Sequence, residues 1–184
     1  MESILSNTEV KMKKSVEALE REFSSLRTGR ASAALFDKIK VEAYGQPTPL
    51  AQAATISVPE ARLVVIQPWD KGLLNEIEKA IQKSELSVNP NNDGKVIRIN
   101  IPPLTEERRK ELVKVAKSSA EQNRVSIRNI RRDANDELKK LQKSGDIGED
   151  DEKKATDKIQ KLTDSFIKEI GLVLDAKENE IMEI

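Results

Sequence analysis

The stretch from Thr105 to Ser144 constrains the fold most. Leu112, Ala116, Ala120, Asn123, Ile127, Ile130, Ala134, Leu138 and Leu141 recur there at steps of three and four, the period of one helix face. A helix of about forty residues is roughly 60 Å long at 1.5 Å per residue, so no small sphere encloses it. Such a rod needs other long elements to cover its stripe, and the sequence supplies two. Leu5, Met12, Val16, Leu19, Phe23 and Leu26 step by seven, four and three, ending near Thr28-Gly29-Arg30, where Gly29 is a candidate terminator. Ala155, Ile159, Leu162, Phe166, Ile170, Val173 and Ile181 form the third stripe. Gly145-Asp146-Ile147-Gly148 separates it from the second, and Glu149 to Glu152 supply the acidic first turn that a helix dipole favours.

Residues 31–103 carry a different pattern. Ile39, Val41 and Ala43 alternate with charged residues, Gly45-Gln46-Pro47-Thr48-Pro49 reads as a turn, Ala54, Ile56 and Val58 alternate again, and Leu63-Val64-Val65-Ile66 is a β-branched run closed by Pro68. A helix is expected from about Asp70, with Leu73, Leu74, Ile77, Ala80 and Ile81 on one side. Leu86-Ser87-Val88 and Val96 to Ile101 follow as strand candidates, joined by the turn-forming tract Asn89 to Gly94. Pro102-Pro103 ends the segment, because neither residue has a backbone N–H to donate.

The expected architecture is therefore α+β in two domains. Residues 1–30 and 104–184 form a long three-helix bundle, and a small α/β domain rich in strand, residues 31–103, is inserted between the first and second helices. Two chain crossings join them, at Gly29, Arg30 and Ala31 and at Pro102, Pro103 and Leu104. So few residues at the crossings make relative domain motion the expectation.

Composition removes most enzyme classes. The 184 residues contain no Cys and no His, which excludes thiol chemistry, imidazole bases and the usual zinc ligands. No cofactor or metal is expected, and the acids Glu149 to Glu152 point to different sides of their helix rather than to one ion. The seven glycines sit singly and make no phosphate-cradling loop. The first fifteen residues mix acids with bases and no run nears the roughly 20 apolar residues of a membrane span. A soluble, cytoplasmic, monomeric protein without a membrane partner is expected.

The second long helix holds the clearest constellation. Taking about 100° per residue with Lys117 at zero, Arg124 lies at about −20°, Arg128 at about +20°, Arg131 at about −40° and Arg132 at about +60°, while the apolar stripe centres at about −100°. Of the nearby acids only Glu121 points into this band. Arg124 with Arg128, and Arg128 with Arg132, are like-charged pairs at i,i+4, each costing a helix roughly 0.2–0.5 kcal/mol. A row that opposes its own helix has another use, and the planar fork of arginine grips phosphate. The total charge hides this. Residues 106–132 hold nine bases and four acids, and residues 145–184 hold six bases and twelve acids, so one face suits nucleic acid and another repels it. Arg27 and Arg30 add to the basic end, or serve only as cations at a helix C-terminus. Tyr44 and Trp69 are too few and too scattered in sequence for a base-stacking platform, which favours recognition of shape and phosphate.

Five tracts are more specific than any of this: Leu26-Arg27-Thr28-Gly29-Arg30-Ala31-Ser32, Tyr44-Gly45-Gln46-Pro47-Thr48-Pro49-Leu50, Asn89-Pro90-Asn91-Asn92-Asp93-Gly94, Pro102 to Lys110, and Arg128-Asn129-Ile130-Arg131-Arg132-Asp133-Ala134-Asn135-Asp136. In order and over essentially the whole chain, they resemble the ribosome recycling factor family. The resemblance implies a bundle lying on large-subunit ribosomal RNA after termination. It further implies a small domain pushed by elongation factor G with GTP, so that the subunits part and messenger and transfer RNA leave. It implies no catalytic residue in the chain, and it marks Arg128, Arg131 and Arg132 as RNA contacts. Ser87 stands where the family more often has Gly, and Gly148 where it more often has Ser. The competing reading from the stripes alone is a coiled-coil-like scaffold or chaperone, which would not call for clustered arginines or a hinged insert.

Overall fold

The computed structural model describes residues 1–183, an α+β chain in two compact units: Met1–Phe23 together with the chain from Lys110 onward, and Ser24–Arg109. In the first unit lie helices α1 (Glu2–Ser24), α4 (Glu106–Lys143, from Lys110 on) and α5 (Glu149–Met182). Each buries the stripe its spacing predicts. Met12, Val16, Leu19 and Phe23 of α1, Leu112, Ala116, Ala120, Ile127, Ala134 and Leu138 of α4, and Ala155, Ile159, Ile170 and Ile181 of α5 are all buried. At one end Ala134, Leu138, Ala155 and Ile159 pack with Ile4, Leu5 and Ile147, drawing all three helices into one core. Polar ties fix the register. Asn123 Nδ2 donates to the Ser15 carbonyl at 2.8 Å, and Ser119 donates to Glu22 at 2.6 Å.

Three details differ from the sequence reading. The first helix stops at Ser24, short of Gly29, since Ser24 and Ser25 are weak helix formers; Gly29, at φ +76°, shapes the linking segment instead. On α5, Leu174 is buried where Val173 is half-buried, and Lys177 is buried with it. Thr8 and Thr163 enter the core because each hydroxyl donates to the carbonyl four residues back, Ile4 at 2.6 Å and Ile159 at 2.8 Å, leaving no donor unpaired.

In the second unit the strands β1 (Lys40–Ala43) and β2 (Gln46–Pro49) make a hairpin, α2 (Leu50–Ala53) a single helical turn, and β3 (Ala54–Glu60), β4 (Leu63–Pro68), β5 (Pro90–Asn92) and β6 (Ile97–Asn100) an antiparallel sheet in the order β3-β4-β6-β5. Helix α3 (Leu74–Gln82) follows a short 3-10 turn capped by Asp70. Phe36, Val41, Leu50, Val64, Ile66, Ile77, Ile81, Ile97 and Ile99 are its solvent-free core.

Two expectations are corrected. The tract 45–49 is not a turn: the turn is Tyr44-Gly45 alone, and Gln46–Pro49 is strand β2, which accepts two prolines because it pairs on one side only. Leu86-Ser87-Val88 is not a strand, because Ser87 is left-handed at φ +50°. The edge strand is instead Pro90–Asn92, inside the tract read as a turn.

Candidate nucleic-acid interface

Helix α4 carries the arginine band. Glu121, one of four acids among nine bases in residues 106–132, is the acid that organises it: its Oε2 lies 3.3 Å from Arg124 Nη1 and its Oε1 3.3 Å from Arg128 Nη1. The spacing explains this, since residues three and seven further along a helix return to one side. One carboxylate thus relieves the repulsion between two guanidiniums. In turn Arg124 and then Arg128 hold the Glu121 carboxyl below its ordinary range, so it stays ionised and both ion pairs persist at neutral pH. The pairs are exposed and add little to stability. Their effect is on the direction of the side chains more than on stability.

Helix α5 supplies two partners that the sequence did not reveal. Arg131 Nη1 donates to Gln160 Oε1 at 3.2 Å, and Gln160 donates on to Asp164 at 2.8 Å. Lys117 Nζ stands 3.6 Å from Glu178 Oε1, an ion-pair separation too long for a hydrogen bond, which agrees with that oxygen having no hydrogen-bond partner. Arg132 is exposed, and Arg124, Arg128 and Arg131 are half-buried, their stems along the core edge and their heads outward. The band therefore places fixed guanidiniums beside the apolar stripe, with spare N–H groups for an oxyanion.

Arg27 and Arg30 belong to the second compact unit. Since α1 ends at Ser24, Arg27 is no helix-terminal cation; its guanidinium donates to the Glu85 carbonyl. Within the second unit, the segments around Ala31 and Ile101 are both fastened to one β-turn. The Ala31 N–H donates to the Ala61 carbonyl and the Ile101 N–H to the Arg62 carbonyl, each at 2.8 Å. Between them, Gly29 packs on Leu104. Among the described residues, no cluster of acids could hold a metal ion and no helix is long and apolar enough to cross a membrane.

The family model described as Ribosome recycling factor matches residues 19–182. The ribosome-recycling factor of Treponema denticola is 67% identical over 183 residues, covering 100% of this chain and 99% of its own. That of Halalkalibacterium halodurans is 59% identical, covering 98% of each. A solution structure of the ribosome recycling factor superposes with TM-score 0.79 at 48% identity over 100% of this chain and 97% of that one. A second structure matches with TM-score 0.69 at 49% identity, over 98% of each chain. It is a Thermus thermophilus recycling factor in a model with Escherichia coli elongation factor G on the post-termination complex.

Proposed function

The chain belongs to the ribosome recycling factor family, and from that premise we propose that it binds the large subunit of the post-termination ribosome and, with elongation factor G and GTP, splits it into subunits, releasing messenger and transfer RNA. The observation that carries the binding step is the pair of guanidiniums held on Glu121, in line with Arg131, Arg132 and Lys117 on the same rod. Phosphate contacts of this kind position a protein on a nucleic acid without reading its sequence. Arg27 and Arg30, in the second unit, are further candidate RNA contacts.

The chain performs no bond chemistry itself and works as a monomer in the cytoplasm, where ribosomes are. The GTP is hydrolysed by the elongation factor. Residues 1–30 with 104–184 act as the RNA-binding domain and residues 31–103 as the domain that is moved, with the hinge at Gly29, Arg30 and Ala31 and at Pro102, Pro103 and Leu104. The anchoring of Ala31 and Ile101 on one turn supports this reading, because it ties both ends of the insert to a single rigid point.

Sedimentation with purified large subunits over a salt series, paired with light scattering of post-termination ribosomes, tests both steps. Neutralising Arg128 and Arg132 together is expected to abolish sedimentation at moderate salt. Parental sedimentation by that variant would refute the assignment of α4 as the contact.

A further inference from the structure

The single tyrosine and the single tryptophan of the chain are both on the surface of the second unit, 80% and 73% exposed. Neither is there through slackness. Tyr44 and Gly45 form the two-residue link between β1 and β2, both at positive φ, +52° and +77°. Such a turn is the habit of Asn, Asp and Gly, and a bulky residue at its first position is an outlier that points to function. The Tyr44 hydroxyl donates to one carboxylate oxygen of Asp70, and the other accepts the Gly72 N–H at 2.8 Å. Trp69, next in the chain, is pinned through its own N–H to the Ala53 carbonyl at 3.1 Å. Sequence spacing separates Tyr44 from Trp69 and Asp70 by about 25 residues. The Tyr44–Asp70 hydrogen bond brings Tyr44 to the residue that follows Trp69.

We propose that the Tyr44, Trp69 and Asp70 corner docks a lysine or arginine side chain of a protein in the post-termination assembly. Aromatic faces attract cations, and an adjacent carboxylate adds to the attraction; exposed Trp and Tyr are also the residues that most often anchor protein interfaces. An RNA strand is the poorer occupant. The Tyr44 hydrogen bond, then the Gly72 N–H, keeps the Asp70 carboxyl below its ordinary range, so a charge that repels phosphate is present at neutral pH. Nearby in sequence stand Glu42 and Lys71, making two acids against one base, and residues 31–103 hold eight of each, without the basic excess of a nucleic-acid face. The inference rests on the reading that this unit acts after the bundle has bound.

The test uses the full chain on reconstituted post-termination ribosomes with elongation factor G and a non-hydrolysable GTP analogue. With Tyr44→p-benzoylphenylalanine, illumination is expected to give an adduct on a protein, within a segment rich in lysine or arginine. Asp70→Asn removes the charge while its Oδ1 can still accept the Gly72 N–H and its Nδ2 can donate to the Tyr44 hydroxyl oxygen, reversing that bond. It should slow splitting about tenfold, with Asp70→Glu restoring most of the rate and large-subunit sedimentation unchanged. An adduct on RNA, no adduct, or parental splitting by Asp70→Asn overturns the proposal, as does a loss of large-subunit binding that matches the loss of splitting. Failure of the ribosome-binding reading is seen separately, in the arginine variants of α4.

Discussion

Gly29 lies so close against Leu104 that a β-carbon on the glycine would stand 3.2 Å from the leucine Cγ and 3.3 Å from its backbone nitrogen. Gly29 and Leu104, both in the second compact unit, therefore touch, at a position whose φ of +76° already favours glycine. Gly29→Ala is expected to lower stability by about 1–3 kcal/mol. Gly45→Ala provides the comparison, since Gly45 has nearly the same φ but nothing within 4 Å of the added carbon. In urea unfolding Gly29→Ala should cost more than Gly45→Ala. Equal losses would mean that Leu104 yields and the contact has no consequence.

Replacing Arg131 by Ala is expected to weaken large-subunit binding by about 1–3 kcal/mol and to flatten the slope of log affinity against log salt by about one unit. Its hydrogen bond to Gln160 is exposed, so thermal stability should stay within about 0.5 kcal/mol. Lys168→Ala, an exposed cation on the acidic helix α5, should change neither quantity. If Arg131→Ala binds like the parent at every salt concentration, its guanidinium belongs to Gln160 and to solvent.

The three long helices were legible because apolar residues at steps of three and four have no other regular solution. Over long helices the phase drifts, which is why Leu174 rather than Val173 faces inward. The strands were legible where β-branched residues run together, as in Leu63–Pro68, and illegible where Pro and Asn carry them. Nothing in Gln46–Pro49 or Pro90–Asn92 announces a strand except a partner that the sequence places elsewhere. In the candidate interface, Glu121 could be found by helical arithmetic because it shares a helix with Arg124 and Arg128. Gln160 and Glu178 could not, since the register of α5 against α4 is set by packing.

Lys177 reads from sequence as one more surface cation and is instead 8% exposed, with its Nζ 3.0 Å from Glu180 Oε2. Its four-carbon stem fills a stripe position between Leu174 and Ile181, while the ammonium reaches a carboxylate one turn on. Lys177→Met, which keeps the stem, is expected to be nearly neutral. Lys177→Ala leaves a gap and should cost about 1–3 kcal/mol in urea unfolding. Equal stability of the two variants would show that the stem contributes no packing.

Asp93 supplies the clearest pH dependence. Its Oδ1 accepts the Val96 and Lys95 N–H groups, each at 2.9 Å, and its Oδ2 meets Arg98; these hydrogen bonds, that of Val96 first, lower its pKa from 3.8 to about 2. The native state therefore binds this proton less readily than the unfolded chain. The stabilisation is complete above the unfolded value and is lost as pH falls from about 4 through 2. Asp70 and Glu121 are also held down, so the parent's acid curve mixes several groups, and only the difference from Asp93→Asn isolates this one. That difference in melting temperature should be constant from pH 7 to pH 5 and shrink steadily below pH 4. It should also survive added salt in large part, because backbone N–H donors rather than a distant charge lead the effect. A difference as large at pH 2 as at pH 7 would mean that the Asp93 charge contributes nothing and that the turn from Asp93 to Val96 is held by its backbone alone.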